Sequence, residues 1–446
     1  FMGLVGSEMC IRDSLWPHLF STVLPRYISN TIILMLGVGL LSTLLGVSTA
    51  WVVTRYNFFG KNFFQWALLL PAAVPAYIIA YTYTDFLEYA GPVQKILREF
   101  FNFQNSNDYW FPEIRSMEGA IFVMSFVLYP YVYMTTRASF LTVPISFFQT
   151  SLIYGRSSFF SVALPLARPG IIAGVALVLM ETISDFGTVE YFALETLTLG
   201  VFNVWLGMNS LSGASQISSV LFVFVVVLLT IEYLARRKQR YHEKSSGQNM
   251  VESESSSKLQ NIICFVICLI PIVIGFVIPV SILLNFILSG FSIINFTEIF
   301  YTSFFSIILA FSGAFFVMLA SVFLIIISNY RSNNLQKVLI FLASCGYALP
   351  GTILAVGMVI FLGWINKYFN LHLSYVAGGF IILIFAYVVR FLAVGNASIR
   401  SGILQIHPNA MDASLTMGAG FYRGVKIIIM PLISVSYTHL RAHETH

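Results

Sequence analysis

Residues able to do chemistry are few in this sequence, and their spacing excludes most enzyme reactions. No Gly-x-x-x-x-Gly-Lys-Ser/Thr loop occurs, so the usual backbone cradle for ATP phosphates is absent. Nor is there a Gly-x-Ser-x-Gly nucleophile elbow, a His-Glu-x-x-His zinc helix or a haem-attachment cysteine pair. Four cysteines, Cys10, Cys264, Cys268 and Cys345, show neither zinc spacing nor a disulfide framework. The last three lie in apolar stretches and are expected to pack as small thiols. Glu181, Asp185, Glu190 and Glu195 are close in sequence, and carboxylate oxygens suit hard cations.

The most specific spacing is of another kind. In DASLTMGAGFYRGVKIIIMPL, Asp412, Ala413 and Ser414 precede Gly418, six residues after the acid, and Pro431 follows thirteen residues after that glycine. Asp412 in a first turn complements a helix N-terminus, and Gly418 and Gly420 break the helix so that a second can leave at an angle. The product is a helix-turn-helix knob that another protein could grip. A second copy sits earlier, with Gln149, Thr150 and Ser151 before Gly155 and Leu164-Pro165 beyond it. Here glutamine replaces the acid, and the interval from Gly155 to Pro165 is three residues shorter.

The elements that position these loops belong in a bilayer. Of 446 residues 58% are hydrophobic and 10% charged, too little polar surface to clothe a water-soluble fold. Apolar stretches long enough to cross a hydrocarbon core recur, and nine spans can be drawn: 31–54, 63–86, 118–136, 169–186, 217–235, 261–289, 303–328, 338–363 and 374–395. Alternating the loops puts Arg55, Lys61, Arg137, Arg156, Arg168, the Arg236–Arg240 run, Arg331, Arg400, Arg423 and Lys426 on one side, which the positive-inside rule makes cytoplasmic. Both knobs fall there. The net charge of +5 is thus spread through short loops and forms no nucleic-acid surface.

Residues 236–260 are polar and Ser-rich, and read as a cytoplasmic linker between two halves, 15–235 and 261–434. In each half a long span, a short basic turn, a proline-bearing span (Pro71 and Pro75; Pro350), a glycine-led span and a long loop ending in Leu-Pro or Met-Pro follow in the same order. Such order predicts two parallel repeats around one pathway. Residues 1–14 and 435–446 fit neither half, and resemble translated sequencing-adapter read-through.

On these motifs the chain resembles the membrane subunits of binding-protein-dependent ABC importers, whose EAA loop has this Asp412–Pro431 spacing. The stretches LPRYISNTIILMLGVGLLSTLLGVSTAW, LLLPAAVPAYIIAYTYTDFLEYAGPVQ and METISDFGTVEYF resemble the fused two-copy permeases of ferric-iron importers, over about residues 15–434. The resemblance implies an all-α polytopic fold with nine of twelve spans present, in a bacterial inner membrane. It implies that the two loops dock a pair of peripheral ATPase subunits, that ATP and its hydrolysis belong to that partner, and that this chain holds no cofactor. A periplasmic binding protein would deliver the substrate. A metal site among the four carboxylates is then not expected, and Asp185, Phe186 and Gly187 would shape the outer mouth of the pathway. The same architecture serves phosphonate, thiamine and polyamine import; a polytopic enzyme or channel without an ATPase is the reading from another class.

Overall fold

A computed structural model describes residues 21–237, 254–255, 257–290, 295–330, 345–369, 375–403 and 416. The described structure is helical but for a two-residue parallel pairing of Tyr56–Asn57 with Glu254–Ser255. Among the described residues seven helices are long and apolar enough to cross a bilayer, and eight if one bent pair counts as a single span. All nine expected spans overlap helices, but 338–363 lies partly outside the described residues, and its described part holds a 3₁₀ turn, Cys345–Ala348, and the helix Gly351–Phe369. The chain divides into two compact units, Phe1–Ile294 and Asn295–His446.

In the first unit α1 (Leu24–Arg55), α5 (Met117–Leu141) and α7 (Leu164–Ser184) form the centre, with α5 packed against both others. Lipid is as apolar as leucine, so membrane helices associate by close fit. Val132 of α5 shows how: a Cβ on Gly46 of α1 would lie 2.6 Å from the Val132 Cβ, and one on Gly174 of α7 would lie 2.7 Å from its Cα. Only a missing side chain on each neighbour admits the valine. Ser116 caps α5, accepting the Gly119 N–H at 3.1 Å.

The expected span 63–86 is broken. α2 (Lys61–Ala67) runs into a 3₁₀ turn over Leu70–Ala73, and α3 (Ala76–Leu87) leaves at 86° beyond Pro75. Prolines remove donors, and backbone freed at membrane depth must find other partners. α5 supplies them. Tyr129 and Tyr133, one turn apart and fully buried, donate their hydroxyls to the carbonyls of Leu68 (2.9 Å) and Gln65 (3.1 Å), and Arg137 a turn further donates to Gln65 Oε1 (2.8 Å).

The helix preceding residue 290 joins the same unit. α11 (Lys258–Ile272) and α12 (Ile278–Gly290) are continuous through a π-helical turn, Val273–Val277. There Ile278 donates to Val273, so the next donor in register, for the Ile274 carbonyl, is Pro279, which has none. The Tyr83 hydroxyl of α3 fills the vacancy at 2.6 Å. Cys264 and Cys268 of α11 are buried free thiols, as their apolar setting predicts. Between these elements lie α4 (Pro92–Phe101), α6 (Ile145–Ile153), α8 (Gly187–Tyr191), α9 (Leu197–Phe202) and α10 (Leu211–Arg237).

In the second unit α13 (Phe296–Tyr330) packs along α15 (Tyr375–Ile403), and a 3₁₀ turn, Cys345–Ala348, precedes Pro350 and α14 (Gly351–Phe369). The order of long helix, 3₁₀ turn, proline and helix is that of α1, Leu70–Ala73, Pro75 and α3.

Candidate functional site: a helix-turn-helix knob and a cavity at the helix break

The first knob forms a helix-turn-helix despite its shortened interval. α6 follows Pro144, and its buried residues are Phe148 and Ser151. It ends in a Schellman motif: Gly155, at φ +63°, donates to the Leu152 carbonyl (3.0 Å), and Arg156 donates to Ser151 (2.9 Å). Glycine is required here by conformation alone, since a Cβ would meet nothing within 4 Å. The Ser151 hydroxyl bonds the Phe148 carbonyl (2.8 Å) and lies 3.0 Å from Ser158 Oγ, tying the turn across.

The second helix starts well before the expected boundary of 169. A π-helical turn, Phe159–Ala163, runs directly into α7, with Pro165 just past the junction. The shortened interval is thus absorbed by helix starting earlier, in a wider register. Outside, the knob is apolar: Leu152, Ile153 (83% exposed), Tyr154 (76%) and Phe160 face outward, beside exposed Gln149, Thr150 and Arg156. The counterpart residues Asp412, Ala413, Ser414, Gly418 and Pro431 lie outside the described residues.

A cavity of about 290 Å³ opens at the break between α2 and α3. Its wall includes Pro75, Ala76 and Tyr77 at the start of α3, Leu128 and Tyr131 of α5, and Glu181 of α7 with Asp185, Phe186 and Gly187 beyond it. The three residues expected at a pathway mouth therefore do line a cavity together. Asp185 also starts the next helix, because its carboxylate accepts the Thr188 N–H (2.7 Å) and hydroxyl (2.8 Å) in the first turn of α8. Phe186 lies tilted against Phe202 with ring centroids 3.9 Å apart, and a Cβ on Gly187 would lie 3.0 Å from the Tyr77 Cβ. No group of three metal-ligating side chains occurs among the described residues.

Three tyrosines of α3, Tyr77, Tyr81 and Tyr83, divide between packing and exposure. Tyr83 does pack, but Tyr77 and Tyr81 are half-exposed and line a second opening of about 720 Å³ with Arg115, Glu190 and Tyr191. The signal was their spacing: residues four apart, such as 77 and 81, share a helix face.

Residues 42–244 match the family described as the binding-protein-dependent transport system inner membrane component. The chain is 23% identical over 425 residues to the Fe(3+)-transport system permease protein FbpB 2 of Haemophilus influenzae, covering 93% of this chain and 77% of that protein. It is 28% identical over 210 residues to the molybdenum transport system permease protein ModB of the same organism, covering 44% and 86%. To the ferric transport system permease protein FbpB of Actinobacillus pleuropneumoniae it is 23% identical over 449 residues, covering 92% of this chain but 61% of that protein. The matched stretch, residues 42–244, carries both the α6 knob and the cavity, in a chain whose described helices make it a multi-pass membrane protein.

Proposed function

We propose that this chain is the membrane-spanning subunit of an ATP-driven importer of ferric iron, in a bacterial inner membrane. A periplasmic binding protein delivers the ion, and two peripheral ATPase subunits drive two parallel repeats of this chain between outward- and inward-open states. One knob is the α6 loop around Gly155; its counterpart is the loop around Gly418. ATP belongs to the partner subunits, and this chain needs no cofactor of its own.

The observation carrying the reading is the outward-turned apolar end of α6, held by a Schellman turn between two spans. An exposed patch of Leu152, Ile153 and Tyr154 in a loop between two spans fits a surface that another protein covers. It stands on the basic side of the membrane by the loop alternation, where an ATPase could reach it. Two FbpB relatives matched over more than nine-tenths of this chain favour ferric iron. The ModB relative raises an oxyanion as the second substrate reading.

The test is reconstitution with an importer ATPase and a ferric-iron binding protein from the same organism, measuring uptake of radioactive ferric iron against molybdate. Ile153→Asp with Tyr154→Asp should release the ATPase, and Gly418→Trp should weaken its capture. Capture unchanged by all three substitutions rejects docking; molybdate uptake without iron uptake rejects the substrate.

A further inference from the structure

The knob is in contact with more than the two helices covalently attached to it, and one side chain is placed to carry a partner's motion to a third. Trp51, on the last turns of α1, meets three aromatic rings of the knob region: Phe140 at the end of α5 (5.6 Å between centroids), Phe148 of α6 (6.2 Å) and Phe159 of the π-helical turn (5.2 Å). Those rings stand before, within and after the loop. One helical turn further, Arg55 sets its guanidinium over the same Phe148 ring, 5.1 Å from the centroid. Phe148 is 2% exposed and, with Ser151, makes up the buried face of α6. The exposed end of α6 can be gripped from outside, while its inner face is held by a helix that is not its chain neighbour.

We infer that Trp51, seconded by Arg55, is the positioning residue through which the knob drives α1, and that α1 carries the motion to the cavity. The onward route is also built. α1 meets α5 at the close contact of Gly46 with Val132, and Tyr131, the neighbour of Val132, lines the cavity with Glu181 and Asp185. A shift of α1 cannot be absorbed at that contact, because a missing side chain leaves no slack there. The bland alternative is that α5 and α7, joined to the knob by peptide bonds, carry all the motion and that Trp51 only fills space.

This inference rests on the importer reading, and the experiment separates the two. The complete complex of chain, ATPase and binding protein is placed in proteoliposomes, and three quantities are measured: ATPase retained, ATP hydrolysed and ferric iron imported. Trp51→Ala should retain the ATPase and its hydrolysis while importing roughly tenfold less iron per ATP, the scale of a lost coupling between sites. Trp51→Phe, which restores a ring, should return most of that ratio, and Phe148→Leu, which keeps apolar volume, should mimic the loss. A purely space-filling residue would lower assembly and turnover together and leave the ratio unchanged. An unchanged iron-to-ATP ratio in Trp51→Ala and Phe148→Leu overturns the inference while leaving the importer reading intact. A wild-type chain that captures no ATPase overturns both.

Discussion

The two compact units repeat one order of elements but bury themselves differently. The most apolar windows of α1 and α5 are 44% and 72% buried, while those of Phe296–Leu324 in α13 and Gly379–Asn396 in α15 are 17% each. Apolar content does not explain the gap, because the α13 window is more apolar than either of those two windows of the first unit. In a bilayer burial follows from close fits and from closing polar gaps, not from hydrophobicity. The first unit has both: Val132 between two glycines, and three tyrosine hydroxyls on otherwise vacant carbonyls. The second unit has close fits of its own, Gly395 against Ser321 and Gly346 against Val389, and in both units some buried hydroxyls, Thr136 in the first and Ser321 and Thr352 in the second, meet no partner among the described residues.

The sharpest way to break this comparison is overpacking. Gly46→Leu forces a side chain into Val132 and the Tyr133 backbone and should cost about 3 kcal/mol or more in denaturant unfolding in micelles. Gly363→Leu in α14, where a Cβ would meet nothing within 4 Å, should be neutral or stabilising by up to about 1 kcal/mol. Equal costs would mean that fit does not distinguish the units. Next in size is Tyr129→Phe, which strands the Leu68 carbonyl and should cost roughly 1–3 kcal/mol in the same assay. A neutral result would show that the broken helix is held by packing alone.

Gly155→Ala should cost about 1 kcal/mol, because alanine is strained at positive φ while its methyl has room. Asparagine there should cost less, and unfolding midpoints of the two variants rank them. Smallest is Arg115→Gln, which removes the exposed pair with Glu88 and should change stability by under about 1 kcal/mol, vanishing in high salt.

Much of this was legible in the residues. Apolar runs gave the spans, and Gly155 announced a turn that the chain makes with that residue in the left-handed region. Pro71 and Pro75 marked a kink but not its size. An 86° break is tolerable only because Tyr129 and Tyr133 of a distant helix reach the freed carbonyls, a pairing that no local pattern encodes. Asp185, Phe186 and Gly187 were found by resemblance and do line a cavity. Resemblance did not show that Asp185 spends its oxygens on Thr188, since capping depends on where the next turn folds. Trp51 was passed over for a simpler reason: an aromatic residue in an apolar span looks like any other until its neighbours are known.

The helix break has a genetic consequence. α3 begins at the cavity with Pro75 before it and no side chain capping its first turn, so its positive end adjoins the wall that holds Glu181 and Asp185. That part of the cavity's field is written in peptide groups, which every residue carries alike. Substitutions at Ala76 or Tyr77 can change the shape of the opening but cannot erase its polarity. A mutational scan would therefore find the cavity more tolerant of sequence change than a site built from side chains, and divergent relatives could keep the same field while sharing few of the residues around it.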